Sequence, residues 1–108
     1  MLVVNRFRVP IQPAASAEQF RADLQAAHEL LASKSGYVAG WVGRNLDEPE
    51  LWVLTTRWDS VGAYRRALSS YDVKLSAVPT LSRALDEPSA YEVVDPGSVL
   101  NVADARVT

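Results

Sequence analysis

From Leu2 to Val9 the side chains follow a period of two, which predicts a strand with Val3, Asn5, Phe7 and Val9 on one face. Leu2, Val4, Arg6 and Arg8 then share the other face, and Asn5 is a lone amide in an apolar row. The period next lengthens. Phe20, Leu24, Ala27 and Leu31 recur at helical spacing, and His28 falls at the margin of their stripe. Ser16 and Gln19 have the spacing of a capping box that would open this helix, and Lys34-Ser35-Gly36 supplies a cation and a glycine suited to its end. Two further runs, Tyr37 to Asn45 and Leu51 to Trp58, are rich in β-branched and aromatic residues and flank Leu46-Asp47-Glu48-Pro49-Glu50, which predicts a hairpin. It holds all three tryptophans, Trp41, Trp52 and Trp58. Trp52, Leu54, Thr56 and Trp58 line one side of its second strand, and Leu51, Val53, Thr55 and Arg57 the other.

Asp59 or Ser60 is placed to cap a second helix with Val61, Tyr64, Leu68 and Tyr71 turned inward. A short helical piece from Tyr71 to Val78 stops at Pro79, and a looser stretch with Leu81 and Leu85 leads to Pro88. Ser89 to Val94 reads as a last strand with Tyr91 and Val93 on one face. The sum is strand, helix, strand, strand, helix, strand. That order predicts an α+β, ferredoxin-like βαββαβ domain over residues 1–94, with a four-stranded antiparallel sheet and helices on one face. Residues 95–108 form a C-terminal tail without a core of its own, free to lie on a partner subunit.

The predicted sheet is substantially apolar on both faces, and 108 residues supply helices for only one. A second copy of the chain would cover the other, so a homodimer is expected. In that arrangement Arg6 and Arg8 would pair across the interface with acidic residues such as Glu92.

Composition narrows the chemistry. A net charge of -2, from 11 basic and 13 acidic residues in no blocks, gives no footprint for nucleic acid or an anionic membrane. The absence of cysteine removes disulfide scaffolds, thiolate metal sites and cysteine nucleophiles. No apolar run has the length of a membrane span, and MLVVNRFRV lacks the order of a signal peptide, so a cytoplasmic location is expected.

Three segments carry a resemblance: VVNRFRVP with Asn5, SGYVAGWVG at the entry to the hairpin, and LTTRWDSVGAYRRAL. Together they resemble the antibiotic biosynthesis monooxygenase family of dimeric α+β barrel proteins, over about residues 2–94. The resemblance implies a homodimer that holds a small aromatic ligand between helices and sheet. Family activities include cofactor-free oxygenation of aromatic polyketides, haem degradation and isomerisation. The haem-degrading pattern combines an asparagine on the first strand, a tryptophan ending the third, and an iron-ligating histidine on the next helix. Asn5 and Trp58 match it. DSVGAYRRALSSYDVKL, however, contains no histidine, so haem is the second reading, with a Tyr64 or Tyr71 phenolate as a substitute ligand that would depart from the pattern.

Cofactor-free oxygenation asks for a flat dry pocket and a stabilised oxyanion, because a deprotonated electron-rich phenol or anthrone reduces dioxygen itself. In that reading Asn5 donates to the oxyanion and Trp58 positions the ring. Phe7, Phe20, Leu24, Trp52 and Leu68 contact the substrate. His28, with an unperturbed pKa of about 6.5, is one candidate to move the proton, beside Tyr64, Tyr71 and Asp72. No spacing joins any of these to Asn5. Each residue also has a plainer role: a strand asparagine is commonly satisfied by backbone, hairpin tryptophans pair across strands, and a histidine at a stripe margin is commonly hydrogen-bonded. A non-catalytic small-ligand-binding dimer is therefore the third reading.

Overall fold

The computed structural model describes residues 1–102. Strand β3 (Leu51–Trp58), branched or aromatic on both faces, takes an interior position in the sheet. It pairs antiparallel with β1 (Leu2–Arg8) on one side and with β2 (Tyr37–Arg44) on the other. A two-residue β4 (Ala90–Tyr91) adds to β1, giving the order β2-β3-β1-β4. This is the ferredoxin-like α+β arrangement expected from the sequence. The β1–β3 register sets Val3 opposite Thr56, Asn5 opposite Leu54 and Phe7 opposite Trp52. Asn5 is thereby fixed on the same sheet face as Trp58.

That face is covered by α1 (Ala14–Ala32), α2 (Val61–Ser69), α3 (Tyr71–Ser76) and α4 (Val78–Leu81). Phe20, Leu24, Ala27 and Leu31 of α1 pack with Val3, Phe7, Trp52, Leu54 and Trp58 of the sheet and with Ala63, Ala67 and Val73 of the later helices. The expected α1 stripe and both strand faces are thus in place. Ser60 caps α2 through its hydroxyl, which accepts from the Ala63 N–H at 3.1 Å. Gly36, at φ +89°, turns the chain between α1 and β2 against Ala63, where a Cβ would collide with the Ala63 methyl.

Several expectations are corrected. The α1 helix begins two residues before Ser16, after Pro13, and no side-chain cap forms; Gln19 instead donates to Asp23 at 2.8 Å. The inward residues of α2 are Ala63 and Ala67, with Tyr64 and Leu68 half-buried and Val61 exposed. Tyr71 is 81% exposed, because the backbone becomes extended at Ser70 (ψ 147°) and α3 restarts with a new phase. The strand expected over 89–94 is cut to two residues. Tyr91 stands opposite Leu2, the first residue of β1, so 92–94 have no strand to pair with, and Ser89 contributes only its carbonyl, which accepts from the Val4 N–H at 2.7 Å. Arg6 finds its partner within the chain: a fork to Glu87, Nε–Oε1 2.6 Å and Nη2–Oε2 2.7 Å. Arg8 lies 3.8 Å from Glu48, and Glu92 accepts from the Asn101 N–H.

The open sheet face carries half-buried Leu2, Val4, Leu51, Val53 and Thr55, with Trp41 65% exposed. From Asp95 to Val102 the chain forms no helix or strand, and residues 103–108 of the expected tail lie outside the described residues.

Candidate active site

On the helix-covered face, the central strand β1 presents Asn5 and the end of β3 presents Trp58; the first turn of α2 then brings Tyr64 against Trp58. The Tyr64 and Trp58 rings are 5.4 Å apart between centroids. Burial raises the Tyr64 phenol above the ordinary tyrosine value, and an interaction with the Asn5 side chain partly offsets the rise. Tyr64 is therefore a protonated O–H at neutral pH, suited to donate rather than to act as a base. Asn5 and Tyr64 are both half-buried, so this pair can be reached from outside the core.

Trp58 is 1% exposed, and its indole N–H donates to the Thr56 hydroxyl at 2.9 Å. Its donor is thus committed, and the ring acts as a fixed wall. Edge-on to its other side stands Tyr37, with centroids 5.5 Å apart and planes at 87°. The Tyr37 hydroxyl lies 2.7 Å from Nε2 of His28. Burial holds His28 below the usual histidine value, Glu29 pulling the other way, and burial raises the Tyr37 phenol. Gly40 makes room for the pair: a Cβ there would stand 2.7 Å from the Tyr37 hydroxyl and 2.8 Å from His28 Nε2.

The candidates named from the sequence therefore divide. Tyr64 packs on Trp58 on the face that also carries Asn5, and Leu68 lies half-buried one turn along α2. His28 stands across Trp58 from them, reached through Tyr37. Tyr71 points to solvent. Asp72 is held by Lys34, whose Nζ is 2.7 Å from both carboxylate oxygens, and its pKa is lowered chiefly by that bond. Phe7, Phe20 and Leu24 are at most 1% exposed and form packed core beneath the site rather than an open wall. Phe20 packs on Phe7 at 5.2 Å and on Trp52 at 5.5 Å, with the Arg83 guanidinium 4.9 Å over its ring. Trp52 is buried in the same cluster. Tyr37, Thr56 and Gly40 are the residues sequence reasoning missed. The SGYVAGWVG segment held two of them, but a contact between Tyr37 and a side chain nine positions earlier has no sequence signature.

Among the described residues no group of three His, Asp or Glu side chains is placed to hold a metal ion, and no helix is long and apolar enough to cross a membrane. A depression of about 590 Å³ opens at the hairpin end, lined by Arg6, Arg44, Leu46, Leu51 and Val53 among others. A groove of about 460 Å³ runs between α1 and β2, lined by Gln25, His28, Glu29, Gly40, Trp41 and Val42. Neither is lined by Asn5.

Among solved structures, the chain is similar to SnoaB, a cofactor-independent oxygenase from Streptomyces nogalater, at 22% identity and a TM-score of 0.68 over 90% of this chain and 96% of that one. It is likewise similar to Rv0793 from Mycobacterium tuberculosis (23% identity, TM-score 0.65, 90% and 97% covered). A conserved protein from Methanosarcina mazei Go1 matches at 21% identity and a TM-score of 0.64, with 82% and 84% covered. At these identities the likeness establishes the fold. No curated protein matches the chain. The family described as antibiotic biosynthesis monooxygenase matches residues 1–75, more than half of the sequence. The chain belongs to the antibiotic biosynthesis monooxygenase family.

Proposed function

We propose that this protein is a cofactor-independent monooxygenase that acts, as a homodimer, on a small electron-rich aromatic or quinol-like substrate. The observation that carries this reading is a half-buried Asn5 on the same sheet face as Tyr64, whose ring lies 5.4 Å from that of the buried Trp58. Two neutral donors that converge next to an apolar wall favour a substrate oxyanion over its protonated form. For an anthrone, the methylene loses a proton to water as the enolate forms, and the enolate passes one electron to dioxygen. Substrate radical and superoxide combine as a peroxide, which loses water; CH₂ plus O₂ becomes C=O plus H₂O. Asn5 and the Tyr64 hydroxyl hold the enolate oxygen throughout. Family membership and the fold shared with a protein described as a cofactor-independent oxygenase support the reading.

Haem does not fit these residues well. No imidazole faces Asn5, since the sole histidine is bonded to Tyr37 across Trp58. A second reading, a non-catalytic small-ligand-binding dimer, is favoured by one observation: Phe7, Phe20 and Leu24 fill the space where a ligand between helix and sheet would lie. Oxygen uptake across anthrones, naphthols and hydroquinones separates the readings. We expect uptake above the uncatalysed rate with at least one class, and no tight stoichiometric Soret band on titration with haem. Absence of uptake with every compound would leave the binding dimer, and tight haem binding followed by reductant-dependent loss of its spectrum would leave the haem enzyme.

A further inference from the structure

Tyr64, Trp58, Tyr37 and His28 form one unbroken line of rings, with successive centroids 5.4, 5.5 and 5.9 Å apart. It runs from the Asn5 cluster to the groove between α1 and β2. Three of its members are the protein's readily oxidised ring types. They differ in what can receive their protons. The Trp58 N–H faces only the Thr56 hydroxyl, a poor base in a buried setting. The Tyr64 phenol has the Asn5 amide beside it, also a poor base. Tyr37 alone has an imidazole nitrogen at its hydroxyl, at 2.7 Å. A phenol loses an electron far more readily when its proton has somewhere to go, so an electron vacancy anywhere on the line settles at Tyr37.

We propose that this line is a one-electron outlet that carries oxidising equivalents from the Asn5 cluster to the protein surface. It rests on the proposed oxygenation only for the source of the oxidant, a substrate-derived or oxygen-derived radical that escapes recombination. That radical takes one electron from Trp58 and is itself reduced. The Trp58 radical cation takes an electron from Tyr37, whose phenolic proton passes to Nε2 of His28, leaving a neutral phenoxyl and an imidazolium. A small one-electron donor of the thiol or ascorbate type, entering the groove lined by Gln25, His28, Glu29 and Trp41, reduces the phenoxyl, and the proton returns from His28. Gly40 serves the outlet by leaving space for the His28–Tyr37 bond, since any side chain there would push the two apart.

The test needs no turnover. Because the chain has no cysteine, Asp86→Cys places a single attachment point for a ruthenium photo-oxidant on the β1 side of the sheet, next to the Leu85 N–H that donates to Arg6. Tyr71→Phe and Tyr91→Phe remove the exposed tyrosines, so that only Tyr37 and Tyr64 remain. After a flash with an electron acceptor present, we expect a tyrosyl radical. Its signal should be lost in Tyr37→Phe, where a tryptophan radical replaces it, and be retained in Tyr64→Phe. The yield should fall in Trp58→Phe, in His28→Gln and in Gly40→Ala, which leaves both partners of the dyad in place. A tyrosyl signal unchanged by Tyr37→Phe, or one indifferent to both His28→Gln and Gly40→Ala, would overturn the proposal. Either result would leave the oxygenation reading standing, because the photo-oxidant replaces the substrate.

Discussion

Asn5 is a short polar side chain in a row otherwise made of Val3, Phe7 and Val9, and its value depends on what stands opposite. Tyr64 is on the same side, its phenol raised above the ordinary tyrosine value by burial, and in the proposed oxygenation the pair would offer two hydrogen bonds to a developing oxyanion. If those bonds strengthen mainly in the transition state, Asn5→Ala should lower turnover by about 10²-fold and leave KM nearly unchanged. Tyr64→Phe, which keeps the ring against Trp58, should act in the same direction, and a double variant should lose less than the product of the two. A rise in KM with turnover intact would mean that these residues bind substrate without assisting its ionisation. Strand alternation made the facing of Asn5, Trp52 and Trp58 legible, because a period of two leaves no freedom once one face is core. His28 was not legible in the same way. Its role depends on Tyr37, a residue on another element whose hydroxyl reaches it only after α1 and β2 are folded together.

Elements succeed or fail by their ends. The hairpin, the buried stripe of α1 and the Ser60 cap could be read directly, whereas the start of α1 could not, because the Ser16 box does not form and the helix begins at Ala14. Tyr71 was misplaced because helical spacing was carried through Ser69-Ser70, where the chain turns extended and the phase is lost. The last strand is shorter than its sequence suggests because β1 begins at Leu2, opposite Tyr91, and leaves 92–94 without a partner. What fixes these later segments is charge as well as packing: Lys34 ties the end of α1 to Asp72 on α3, and Arg6 ties β1 to Glu87. Both carboxylates are held below their ordinary values, in each case chiefly by the hydrogen bond to the cation. A lowered folded-state pKa adds stability that is complete above the ordinary carboxylate range and is lost as pH falls through the lowered value. Thermal denaturation midpoints should therefore decline on acidification below that range. Asp72→Asn and Glu87→Gln should each flatten the decline and lower the midpoint slightly at neutral pH, the small size following from the solvent exposure of both pairs. An unchanged profile in both variants would contradict the assignment.

At the scale of the molecule, the helix-covered face is a closed core, whereas the opposite face leaves Leu2, Val4, Leu51 and Val53 half-buried and Trp41 exposed. A second copy placed on that face would account for its apolar character. Sedimentation should give a dimer at micromolar concentration, and Val53→Glu, which puts a charge at the centre of the face without touching the core, should yield monomer; a stable wild-type monomer would remove the homodimer from the account. The family was legible because its motifs cover β1, the start of β2, and the end of β3 running into α2. Substrate identity was not, because in the proposed reading it would depend on how the half-buried Asn5, Tyr64 and Leu68 admit a ring. The central claim is oxygenation by this chain's own side chains, and isotope incorporation tests it most directly. Protein stripped of metals and assayed with a chelator present, under ¹⁸O₂ with an anthrone, should convert the methylene to a carbonyl that carries the label, at a rate reduced in Asn5→Ala. A carbonyl without the label, or turnover that stops when the chelator is added and returns with metal, would contradict it.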